Sequence, residues 1–272
     1  MTLERSSARS SCFPNRVDRV KDSHLVDNPW FYVVALPALV LTGISKGGLG
    51  GGVGGVAVPL MALTISPAHA AAIMLPILCV MDLPAIKAYF GRWDKQQMRI
   101  VLPAALAGMV VGTFTFRYLN DSWLRILLGI IALGFVANNL RRTNPHPARP
   151  SRAKGWFWGS ISGYTSFVAH SGGPPFSVYM LPLKLDKTVF VATSVVFFAV
   201  GNYVKILPYL WLGLFDSRNL ATSIVLFPVG VAGVYLGVWL HKRLNQALFY
   251  RIIFVLLGVT GVKLLYDGIT RL

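Results

Sequence analysis

Polar and charged positions divide this chain into long apolar stretches separated by short polar ones. No charged side chain occurs from Gly155 to Leu183, from Thr188 to Val204, or from Asn219 to Leu240. Uncharged apolar runs of about 18 residues or more predict membrane-spanning helices. On this pattern the spans fall at Pro29–Ile65, Pro67–Phe90, Ile100–Phe116, Trp123–Leu140, Gly155–Leu183, Thr188–Leu212, Asn219–Leu240 and Ala247–Ile269. The first and fifth are interrupted. Lys46–Gly55 holds seven glycines in ten positions, and Ser171-Gly172-Gly173-Pro174-Pro175 breaks the fifth. The fifth span has 29 residues. Two helical crossings need about 40 residues and one needs about 20, so it reads as one crossing in two pieces or a re-entrant loop. Irregular backbone at membrane depth is tolerable only where protein or a wet cavity surrounds it.

A duplicated pattern organises these elements. Pro103-x3-Ala107-Gly108-x3-Gly112-x6-Leu119-Asn120 returns as Pro228-x3-Ala232-Gly233-x3-Gly237-x6-Leu244-Asn245. A shared helical period alone does not place the prolines, the small pairs and the trailing Leu-Asn together. The expected fold is an all-α integral membrane protein of about eight transmembrane helices in two tandem four-helix repeats. The first helix of each repeat is broken or re-entrant. A polar basic tail occupies 1–28, the first repeat 29–140, a linker 141–154, and the second repeat 155–272. Four crossings per repeat is an even number, so the repeats are expected to run parallel, about an axis along the membrane normal.

Charge adds an orientation. The formal net charge is +16, but the basic residues lie in short loops rather than on one face, which disfavours a nucleic-acid partner. With eight crossings, the side holding both termini and the linker has 15 Lys and Arg against 7 opposite. The positive-inside rule then places both termini in the cytoplasm, in a cell or plasma membrane. The tail lacks the short apolar core of a cleavable signal and is expected to be retained. The two cysteines, Cys12 and Cys79, fit no metal spacing and no disulfide framework.

Candidate chemistry gathers at the breaks. Helices restarting after Gly52 or Gly173 present backbone N–H groups, and glycine lets an anion approach them. Pro174 suits the first turn of such a helix, and Ser171 can cap it or donate to a ligand. Glycine-rich segments also serve helix contact, which is the competing reading. Lys46, just before the glycine run, is a candidate countercharge for an anionic substrate, or a snorkelling residue. An offset of 120 between the second and sixth spans pairs Asp82 with Asn202. Asp82 reads as a proton relay or a salt-bridge partner. Asn202 and Lys205 share a helix face, and His170 abuts the second break. The candidate substrate-binding set is Lys46, Gly50, Gly51, Gly52, His170, Ser171, Gly172, Gly173, Asn202 and Lys205, with Asp82 for ion coupling. No catalytic set, nucleotide loop, metal motif or cofactor motif is present.

Gly50-Gly51-Gly52-Val53-Gly54-Gly55-Val56-Ala57-Val58-Pro59-Leu60 resembles the first-repeat signature of the sulfite exporter TauE/SafE family. Gly172-Gly173-Pro174-Pro175-x3-Tyr179 resembles its second. Asn202, Lys205 and the Leu212-Gly213-Leu214-Phe215-Asp216 loop are similar too. The resemblance implies a duplicated membrane carrier that exports sulfite, a sulfonate or a related small oxyanion. Its partners would be that anion and the lipid bilayer, with a homo-oligomer possible. The alternative is an accessory or scaffold membrane protein that transports nothing.

Overall fold

A computed structural model describes residues 26, 28–51, 57–61, 64–65, 67–116, 121–141 and 148–270. Its elements are α1 (Pro29–Gly48), α2 (Ala57–Met61), α3 (Pro67–Tyr89), α4 (Lys95–Thr115), α5 (Asp121–Arg141), α6 (Arg152–Ala169), α7 (Gly173–Met180), α8 (Lys187–Trp211), α9 (Ser217–Arg243) and α10 (Gln246–Ile269). A 3-10 turn, Leu181–Leu183, follows α7. Every described element is helical. Five of the helices are long and apolar enough to cross a membrane, counted among the described residues.

The helix starts are written in the sequence. Asn28, Asp94, Ser151, Asp186, Asp216 and Asn245 each accept a backbone N–H from the first turn of α1, α4, α6, α8, α9 and α10. Such caps satisfy donors that have no partner within the helix. Both expected interruptions occur: α1 stops at Gly48, and α6 stops at Ala169 before α7 begins at Gly173.

The glycines of the duplicated pattern are contact residues. α6 lies against α4, and α1 against α9. A Cβ on Gly43 would sit 2.6 Å from Gly230 O, and one on Gly48 would sit 2.5 Å from Gly237 O. Gly108 and Gly163 meet the backbones of Ser160 and Ala105 across the α4–α6 crossing in the same way. Removing side chains at these points lets helix backbones touch, which is how helices associate in lipid.

Two groups of residues mark the ends of the bundle. Val26, Asn28, Ile65, His69, Asp216 and Asn219 lie together at one end. Lys95, Arg99, Pro150, Arg152 and Trp156 lie together at the other. Ala148 N donates to Pro182 O there at 2.8 Å. So α1, α3 and α9 run from the first end, while α4, α6 and α8 run from the second. α5 and α10 are antiparallel: Gly129 meets Gly261 and Leu265, and Gly268 meets Ser122 and Ile126.

This corrects the expected orientation. α3 and α8 are also antiparallel, since Asp94 N reaches Thr193 Oγ1 while Tyr203 reaches back to Cys79 O. The 29–141 and 152–269 segments therefore enter from opposite ends, and the described part of the linker lies at the end opposite α1's start. The physical reason is the break. α1 and α3 both start at the first end, so the chain must return between Gly48 and Pro67. A return over the full depth of a membrane would need about 20 helical residues. In the second segment the break at His170–Gly173 lies beside Asn202, part-way along α8, so the eight residues of α7 have only part of the depth to cover.

Candidate functional site

The two breaks have matching backbone geometry. Gly50 and Gly51 adopt φ of 71° and 68°, and His170 adopts 51°. Left-handed backbone is cheap for glycine and uncommon for other residues, histidine being among the more tolerant. Gly51 N donates to Ser45 O at 3.0 Å, and Ser171 N donates to Thr165 O at 3.2 Å. Tyr89 donates to Gly47 O at 2.6 Å, and Tyr209 donates to Phe167 O at 2.9 Å. Each pair of bonds is shifted by the 120 residues that separate Asp82 from Asn202. These bonds satisfy carbonyls that the helix ends leave without partners.

Between the breaks lies a cavity of about 40 Å³, lined by Thr42, Lys46, Gly51, Leu78, Ser166, His170, Gly173, Phe198 and Asn202. A single water needs roughly 10–15 Å³ by the same measure, so the space admits a small polar guest. Both segments contribute to its wall.

The charged groups around it are buried and ordered. Lys46 Nζ lies 2.8 Å from Asp82 Oδ1 and donates to Leu78 O at 3.3 Å. Asn202 Nδ2 donates to Asp82 Oδ2 at 2.9 Å. Lys205 is fully buried one layer behind the wall. Its ammonium donates to Ser166 O at 3.1 Å, Ser166 Oγ at 3.3 Å and His170 Nδ1 at 3.0 Å. Among the described residues no carboxylate lies within ion-pair distance of Lys205. A nitrogen that accepts from an ammonium carries no proton, so His170 holds its proton on Nε2 and donates to Ala71 O at 3.2 Å.

Of the sequence candidates, Lys46, Gly51, His170, Gly173 and Asn202 line one cavity, with Asp82 and Lys205 held directly against them. Three readings change. Lys46 is not a free countercharge, because Asp82 neutralises it. Ser171 does not cap α7: Gly172 is the N-cap residue, without a side-chain bond, and Ser171 Oγ donates to Ala169 O at 3.1 Å. Gly50 and Gly172 sit at the breaks in packing roles. A Cβ on Gly50 would lie 2.7 Å from the Phe190 ring, and one on Gly172 would lie 2.7 Å from Ser162 O. Gly52 lies outside the described residues. Sequence reasoning missed Thr42, Leu78, Ser166 and Phe198 in the wall, and Tyr89 and Tyr209 at the helix ends. The offset of 120 already in hand links Thr42 to Ser162, Lys46 to Ser166 and Tyr89 to Tyr209.

The sequence profile described as "Sulfite exporter TauE/SafE" matches residues 35–264. The chain belongs to the sulfite exporter TauE/SafE family. No curated protein and no solved structure matches the chain. The TauE/SafE match covers both glycine breaks and every residue named around the cavity. The family is one of membrane transporters of sulfite-type anions, in keeping with the apolar helices.

Proposed function

We propose that this TauE/SafE protein is a secondary carrier that exports a small sulfur-containing oxyanion, sulfite or a sulfonate, through the cavity between its breaks. The observation that carries the reading is the chemistry of that cavity. Residues of both breaks line it, and the Lys205 amine, which has no carboxylate within ion-pair distance among the described residues, stands behind Ser166 and His170. Gly173 opens α7 at this wall and keeps a main-chain N–H for an oxyanion, whereas Pro174 and Pro175 carry none, Phe176 N donates to Gly172 O and Gly51 N donates to Ser45 O.

The architecture proposed with it is a pair of inverted repeats, 29–140 and 155–272, joined by the 141–154 linker and preceded by the 1–28 tail. Support comes from the bonds that recur at an offset of 120 and from the opposite directions of α3 against α8 and of α5 against α10. Substrate sites of inverted-repeat carriers lie where the repeats meet, near the bilayer midplane.

Sulfite flux into liposomes containing only the purified chain tests the reading. The expected result is flux that saturates with sulfite and falls at least about tenfold in Lys205→Met, since a charge-assisted contact is worth about 1.5–3 kcal/mol. Absence of flux from well-folded wild-type protein would overturn it.

A further inference from the structure

The charges around the cavity do not cancel. Among the described residues, its amine, imidazole and carboxylate groups are Lys46 and Asp82 from the first segment and Lys205 and His170 from the second, with the Cys79 thiol and the Tyr203 and Tyr209 hydroxyls beside them. Lys46 and Asp82 form a close pair at 2.8 Å. His170 accepts from Lys205 and is therefore neutral in this arrangement. That leaves Lys205 as the group that can bring one unmatched positive charge to a site shielded from bulk water, a charge that an anion bound beside it would stabilise.

At the offset of 120 the two segments have the same scaffold and different charges. Lys46 corresponds to Ser166, Asp82 to Asn202, and Gly50 to His170. Lys205 corresponds to Ala85, which is fully buried. The first segment thus supplies a neutral pair, and the second supplies one cation with polar neighbours.

A buried charge is costly unless it is matched. A guest with one negative charge completes the balance. A dianion gains about twice the attraction to a single cation, because Coulomb energy is linear in each charge. Its desolvation costs about four times as much, because the Born term grows as the square of the charge. The second effect wins wherever water is displaced. We infer that the cavity selects monoanions, hydrogensulfite or a monosulfonate, over dianions such as sulfate or fully ionised sulfite, an inference that rests on the transport reading above.

Methanesulfonate and sulfate are close in size and shape and differ by one charge, so they are suitable probes. Each is added as a competitor to sulfite flux in liposomes containing the full chain. Methanesulfonate is expected to compete at least about tenfold better than sulfate. Asp82→Asn raises the net charge of the site by one and is expected to shrink or reverse that ratio. The double variant Lys46→Met with Asp82→Asn removes the neutral pair and restores a single positive charge. It is expected to regain the methanesulfonate preference, whatever its absolute rate. Equal competition by the two probes, no competition by either, or an unchanged ratio in Asp82→Asn would overturn the inference. These outcomes are read on a protein that moves sulfite, so they leave the transport reading standing. Failure of the wild-type protein to move sulfite at all would sink the transport reading instead. If Asp82→Asn does not fold, the wild-type ratio and the double variant still decide the matter.

Discussion

Tyr89 and Tyr209 show how much a single hydroxyl can fix. Each reaches back to a carbonyl 42 residues earlier, at the end of the helix that breaks. Tyr209 is fully buried and Tyr89 nearly so, so water is not positioned to replace the lost donor. Tyr89→Phe and Tyr209→Phe are each expected to lower stability by about 1–3 kcal/mol, the cost of an unsatisfied buried acceptor. Thermal unfolding in detergent would register this, and unchanged midpoints for both variants would show that the carbonyls find other partners. Neither tyrosine was legible as a cap, because an aromatic at a span end is ordinary and its partner is far away in sequence. Lys46 was legible as important but not as paired. Asp82 lies 36 residues on, and no helical spacing links two different helices.

At the scale of elements, the sequence named the breaks and the glycine-marked helices, while the partners of those helices emerged only in space. The Ala-Gly-x3-Gly pattern announces a close crossing. It does not say that α4 crosses α6 and α9 crosses α1, which depends on how the chain returns after each break. Gly108→Val is expected to abolish the α4–α6 contact, because a Cβ there collides with the Ser160 backbone rather than with a movable side chain. Gly134→Ala is the contrasting change. Nothing lies within 4 Å of a Cβ at Gly134, and alanine favours a helix over glycine by about 1 kcal/mol. Yield and monodispersity after detergent extraction should fall for the first and hold for the second. Equal behaviour of the two would show that the glycines are not there for contact. The direction of the second segment is hidden in the sequence for a related reason. Span counting treats each interruption as part of one crossing, and parity turns on that choice alone.

For the whole molecule, the opposite entry of the two segments changes the orientation that the loop charges favour. Arg92, Lys95 and Arg99 around the start of α4, Arg149, Arg152 and Lys154 around the start of α6, and Lys242 and Arg243 at the end of α9 gather at one end of the bundle. Among the described residues of the other end's loops, Arg218 stands against them. The positive-inside rule weights short loops near the helix ends. Applied to this bundle, the rule leads us to propose the linker end for the cytoplasm and the starts of α1 and α9 for the outer face, the alternative to cytoplasmic termini. A single cysteine at position 148 is expected to resist an impermeant reagent applied to intact cells, and one at position 28 to react. The reverse pattern would invert the assignment. What the sequence alone conveyed at this scale was the membrane, the duplication and the basic loops; the number of returns was hidden in two short segments.

The unequal charges at the cavity also bear on descent. Two identical subunits related by a twofold axis contribute every charge twice, so the net charge at such an axis is always even. Lys46, Asp82 and Lys205 sum to an odd number. No homodimer of either half can reproduce that sum. A site with a single positive charge becomes available only once the two halves differ, and joining them in one chain makes sure that each unlike half always meets the other.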